Sequence, residues 1–162
     1  MNNLINPFSR NSRRAFLSKI GCLSIATISS WFAPNLAFAK KQDADEAIAK
    51  ITGGALVKDG RVTLVIPPLV ENGNLVVLKV GVQSPMTAND YVKAIYVVAE
   101  GNPFPNIFTA YLTPRSGTAN ITTRVRLADS QTVWAIAQMS DGSFWRGSAE
   151  TLVTLAACTE VV

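Results

Sequence analysis

The sequence predicts an all-β fold, an antiparallel sandwich with one short helix in front of it. Three observations carry that reading. After residue 54, short runs rich in valine, isoleucine, threonine and aromatics recur at intervals of roughly 8–12 residues. Clusters of glycine, proline and asparagine separate these runs. No second helical period of apolar residues appears once the strands begin.

The elements follow in order. Residues 41–54 read as an amphipathic helix, with Asp43 or Asp45 as its cap and Ala44, Ala47, Ile48 and Ile51 as its apolar stripe. Gly53-Gly54 supply the left-handed stop. The first strand, 61–66, ends at Pro67-Pro68, because proline cannot donate to a ladder. Asn72-Gly73-Asn74 marks a turn into a strand over 75–83, which Ser84-Pro85-Met86-Thr87 breaks. An apolar run over 91–100 stops at Gly101-Asn102-Pro103, and 107–113 is followed by Pro114 and Gly117. The strand over 120–127 carries Ile121, Val125 and Leu127 among threonines and arginines. In 133–139, Val133, Ala135, Ala137 and Met139 alternate with Trp134, Ile136 and Gln138. Asp141-Gly142 is a tight turn, and 144–155 is a last strand pair or one bent strand. About seven short strands in this arrangement predict an immunoglobulin-like sandwich that lacks an internal disulfide.

The first 39 residues read as a cleavable export signal. Arg13 and Arg14 stand in Ser-Arg-Arg-Ala-Phe-Leu, close to a twin-arginine motif. A mildly apolar stretch follows and ends in Ala37-Phe38-Ala39, which predicts cleavage after Ala39. Polar residues and Pro34 interrupt that stretch, so it is a poor membrane anchor, since a spanning helix needs about 20 mostly apolar residues. The expected organisation is a signal over 1–39, a sandwich over 40–155 and a tail over 156–162, with the mature protein in the periplasm.

Removing the signal changes which functions remain open. Four of the 15 basic residues lie in it (Arg10, Arg13, Arg14 and Lys19), which leaves eleven against 11 acidic residues, all of them after Ala39. The mature chain is therefore formally neutral, which argues against nucleic acid as a partner. The chain contains no histidine. That excludes Ser-His-Asp and Cys-His catalysis, Cys/His zinc sites and proximal-histidine haem. Of two cysteines, Cys22 is lost with the signal, and one remaining thiol cannot hold an iron–sulfur cluster. No cofactor is expected. A folded-protein export route without a cofactor suits a chain that carries a partner across on its own signal.

Cys158 is thus the one thiol of the mature chain. An odd cysteine in an exported protein points to an intermolecular bond or a free reactive sulfur. The opposing reading is a relict thiol, partly buried at the end of the last strand or simply exposed. Trp134, Phe144 and Trp145 read as core or subunit packing. Arg115, Arg124 and Arg126 read as a solvated face or interface rim, with an anionic-substrate role as the sharper alternative. Asp90 with Lys93 reads as a surface pair or local cap, and Ser84, Thr87, Ser140 and Ser143 as turn residues.

The segment SPMTANDYVKAIYVVAE, 84–100, resembles the SoxY family, the sulfur-carrier subunit of bacterial thiosulfate oxidation. So do Asn102-Pro103-x-Pro105, Thr113-Pro114-Arg115-Ser116-Gly117, Thr123-Arg124-Val125-Arg126-Leu127-Ala128, Gln131-Thr132-Val133 and the run 139–145. The resemblance begins near Ile51-Thr52-Gly53-Gly54 and runs to Leu155. It implies carriage rather than catalysis. Sulfur intermediates would be attached to Cys158, in a heterodimer with a SoxZ-like subunit, and presented to the enzymes of the Sox system. The family ending is Gly-Gly-Cys-Gly-Gly; here it is Ala156-Ala157-Cys158-Thr159-Glu160-Val161-Val162. Alanine and the β-branched Thr159, Val161 and Val162 make a stiffer, thicker arm than glycine does. Glu160 and the terminal carboxylate disfavour ionisation of a thiol whose ordinary pKa is about 8.5. The competing reading is therefore a SoxY-like non-carrier paralogue, a structural or delivery partner. A small-molecule-binding sandwich unrelated to sulfur is a third.

Overall fold

The structure, a computed structural model, describes residues 36–155, with side chains from Asp43 onward. The export signal with Arg13 and Arg14, and the tail with Cys158, lie outside the described residues.

Helix α1 (Leu36–Thr52) starts five residues ahead of the expected Lys41, so its backbone runs through Ala37-Phe38-Ala39. Its end is as expected. Gly53 and Gly54 take φ of 62° and 79°, and the Gly54 amide donates to the Ala49 carbonyl at 3.1 Å, closing the helix. The stripe predicted from the sequence is the one that packs. Ala44, Ala47, Ile48 and Ile51 sit with Val98, Ile136 and Phe144.

Among the described residues nine strands follow instead of about seven: β1 (Val57–Asp59), β2 (Val62–Val65), β3 (Leu69–Asn72), β4 (Val76–Val82), β5 (Val92–Ala99), β6 (Asn106–Tyr111), β7 (Asn120–Val125), β8 (Gln131–Met139) and β9 (Phe144–Leu155). One sheet has the order β1-β9-β8-β5-β6, with β3 also on β9, and the other is β2-β4-β7. The fold is the expected all-β sandwich of mostly antiparallel sheets, with one correction. β1 and β3, absent from the sequence reading, run parallel to β9. They are three and four residues long and show no full alternation. Their pairing comes from a strand some eighty positions later, which local pattern does not reveal.

The segment from β1 to β3 changes sheets twice. Gly60 (φ 103°) and Arg61 (φ 54°) turn the chain off β9 into β2, and Pro67-Pro68 ends β2 and returns it to β9. At the crossing β2 passes so close to β9 that a Cβ on Gly147 would run into the Val62 carbonyl. Only glycine fits there.

The main core lies between the sheets, with Leu78, Ile95, Val97, Leu127, Val133, Ala135 and Ala137 all fully buried. β8 is covered on both faces. Val133, Ala135, Ala137 and Met139 face the second sheet's core, while Ile136 and Trp134 face the α1 cluster. β9 is one continuous strand of 12 residues, which decides between the two readings of 144–155.

Candidate functional site

What the structure gives of the candidate carrier site is its base, the C-terminal half of β9. That half is held on both sides. Toward β3, Leu69 pairs with Leu152, Val70 with Val153 and Asn72 with Leu155. The Leu152 amide donates to the Pro68 carbonyl at 2.9 Å. Thr151, only 3% exposed, donates its hydroxyl to the Pro67 carbonyl at 2.7 Å. The Thr154 hydroxyl donates to the Glu71 carbonyl at 3.1 Å. From the other side, the Ser130 hydroxyl oxygen accepts from the Val153 amide at 2.9 Å.

The last tie is at Gly73, whose amide donates to the Leu155 carbonyl at 2.8 Å. The Gly73 carbonyl in turn accepts from the Leu127 amide, also at 2.8 Å. The body is therefore fixed up to Leu155, three residues before Cys158. Three residues span at most about 10–11 Å, which bounds how far the Cys158 Cα can lie from this anchor.

The Gly73 bridge also sets the charge environment at the base. Arg126 precedes Leu127, so one glycine and two hydrogen bonds separate its backbone neighbour from the last residue of β9. Reading the tail alone showed no basic residue to offset Glu160. The fold brings the backbone next to Arg126, 29 positions before Leu155, within one bridging glycine of the end of β9.

The other singled-out residues fall mostly where their ordinary readings placed them. Phe144 is buried under α1. Trp134 packs against the same cluster, donates its indole N–H to Glu100 at 2.8 Å and lies 5.2 Å beneath the Arg146 guanidinium. Trp145 packs against the main core, with Lys58 and Arg61 over its ring at 5.4 and 5.1 Å. Its ring N–H donates to the Ser143 hydroxyl at 3.2 Å.

Ser84 and Thr87 shape the turn into β5 through the Asp90 backbone, with the Thr87 amide donating to the Asp90 carbonyl at 2.9 Å. Asp90 takes part in this turn through its backbone, and no ion pair with Lys93 occurs among the described residues. Ser140 ties this turn to the end of β8 by accepting from the Tyr91 amide at 3.2 Å. Ser143 donates both its amide and its hydroxyl to Asp141, at 2.8 and 2.7 Å. Those two bonds, the hydroxyl's first, hold the Asp141 carboxyl below its ordinary pKa.

Among the described residues no group of three or more acidic, cysteine or histidine side chains could hold a metal ion. No helix among them is long and apolar enough to cross a membrane.

The family model for "Sulfur oxidation protein SoxY" matches residues 48–158, most of the chain, and ends on Cys158. The chain belongs to the SoxY family. Among solved structures, the sulfur carrier protein SoxY from Chlorobium limicola f thiosulfatophilum is similar with a TM-score of 0.59 and 24% identity, covering 72% of this chain and 99% of that one. A superoxide reductase (neelaredoxin) from Ignicoccus hospitalis is similar at TM-score 0.51 and 21% identity, over 58% of this chain and 80% of that one. A putative superoxide reductase from Thermotoga maritima gives 0.51 and 20%, over 60% and 93%. These likenesses show the fold alone, and the sandwich is one that SoxY proteins and these reductases share. No curated protein sequence matches the chain.

Proposed function

We propose that this SoxY-family chain is a periplasmic sulfur carrier with no turnover of its own, exported by the twin-arginine route together with a SoxZ-like subunit. The Cys158 thiolate is the attachment point. Its sulfur forms an S–S bond with the outer sulfur of thiosulfate, and the two electrons released pass to a partner oxidase. The adduct stays attached while other enzymes of the sulfur-oxidation system process it. The observation that carries this reading is the family match, which extends past the sandwich to the single thiol of the mature chain. The anchorage of β9 supports it, because it gives Cys158 a fixed base three residues away, at Leu155.

The test is intact-mass spectrometry of the protein and of Cys158→Ala after incubation with thiosulfate and the partner proteins. A mass gain in the first and none in the second is expected; no gain in either defeats carriage. The alanines, Thr159 and Glu160 in place of glycines favour a second reading, a non-carrier paralogue. In that case Cys158→Ala leaves sulfur oxidation in cells intact while deletion of the gene impairs it.

A further inference from the structure

Among the described residues, β6 pairs only with β5 and β7 only with β4, which leaves one side of each strand open. A groove of about 550 Å³ runs between these two open edges. Phe104, Ile107 and Phe108 form its apolar wall, and Arg124 and Arg126 its basic one. Both arginines are exposed, and neither is paired with a carboxylate among the described residues.

The apolar wall is held rigid from beneath. Phe104 is 82% exposed, yet its loop is braced at every turn. The Asn102 side chain donates to the Arg126 carbonyl and accepts from the Ala128 amide, both at 2.9 Å. The Gln131 side-chain carbonyl accepts from the Gly101 amide at 2.7 Å, and the Pro105 carbonyl accepts from the Ala99 amide at 2.8 Å. Pro103 and Pro105 stiffen the backbone on either side of Phe104, and Pro105 keeps it extended. None of this bracing covers the ring. An aromatic side chain that is already ordered loses little entropy when a partner buries it, which is the character of an interface anchor. The Asn102 bond to the Arg126 carbonyl also fixes the two walls of the groove relative to each other.

We propose that this groove takes an extended segment of a partner protein whose side chains alternate between acidic and apolar. Successive side chains of an extended chain point to opposite sides. Such a segment turns its apolar set to Phe104, Ile107 and Phe108 and its carboxylates to the arginines. The spacing matches. Arg124 and Arg126 stand two positions apart, about 6–7 Å along extended backbone, as do acidic residues at every second position of the guest. The open edge of β7 offers backbone groups for the guest to pair with. A second copy of this chain is a poor occupant, because none of its nine strands carries two acidic residues.

An NMR titration with the capped peptide Leu-Glu-Leu-Glu-Leu, on protein isolated from cells expressing the full chain, tests this. No sulfur compound is present, so the proposal can fail while carriage stands, and the reverse. The amides of residues 104–108 and 124–126 are expected to shift saturably, with a dissociation constant of about 1 mM or tighter at low salt. Leu-Lys-Leu-Lys-Leu should bind about ten-fold more weakly or not at all. Arg124→Glu with Arg126→Glu should reverse that preference, and Phe104→Ser should weaken the acidic peptide about five-fold. All three side chains are exposed, and an unchanged thermal midpoint reports an intact fold. No shift with the acidic peptide, equal affinity for the two peptides, or no response to the arginine reversals overturns the proposal. So do equal shifts with sodium sulfate alone, which would mean a plain anion site. Shifts of the same amides on raising the protein concentration, without peptide, would mean a second copy and overturn it too.

Discussion

Replacing Thr151 by valine removes one hydroxyl from the base of the arm and keeps its volume. That hydroxyl donates to the Pro67 carbonyl at 2.7 Å, near the optimum for an O–H···O bond, from a side chain only 3% exposed. Valine leaves no cavity, so the cost is the hydrogen bond alone. Pro67 itself is exposed, so water can reach its freed carbonyl. The loss should therefore be an ordinary net bond of about 1 kcal/mol, well short of the roughly 3 kcal/mol for a stranded buried group. With a urea m-value of about 1.5 kcal/mol/M, the midpoint falls by about 0.7 M at unchanged m. Thr154→Val is the internal comparison. Its hydroxyl bonds the Glu71 carbonyl at 3.1 Å in an exposed setting, and it should shift the midpoint by no more than about 0.3 M. Urea unfolding followed by tryptophan fluorescence measures both. An unchanged midpoint for Thr151→Val, or a larger shift for Thr154→Val, would show that the β3–β9 clamp does not hold the base of the arm as argued.

Gly147→Ala forces a methyl against the Val62 carbonyl where β2 crosses β9, and should cost about 1–3 kcal/mol, read as a lowered thermal midpoint; an unchanged midpoint would mean the crossing has room. Asp141 should titrate below the ordinary carboxylate range, and Ser143→Ala should bring it back up, as followed by NMR of its side-chain carbonyl. The sign is that of a depressed folded pKa: the stabilisation is present above the unfolded value and is lost as pH falls through the folded one. Identical titration in both proteins would refute the role assigned to the Ser143 hydroxyl, the amide bond being kept in the variant.

The sequence by itself determined the class of fold and most of its elements. The stripe Ala44, Ala47, Ile48, Ile51 and the double glycine after it specify an amphipathic helix and its stop, because both signals act within a few residues. Alternation in β4 and β8 specifies strands for the same reason. The family motifs read between Ile51 and Leu155 were legible as well, and lie inside the matched range 48–158. What only the tertiary structure decided depends on residues far apart in the chain. β1 and β3 exist because β9 offers them a parallel edge at each of its ends, and their own short sequences carry no period to announce it. Ile136 is buried because α1, nearly ninety residues earlier, covers the outer face of β8. Gly73 hydrogen-bonds both Leu127 and Leu155, and so links the segment after β7 to the end of β9. Local periodicity reports which way a side chain points relative to its neighbours in sequence; which charge or edge it meets depends on how distant segments close on one another.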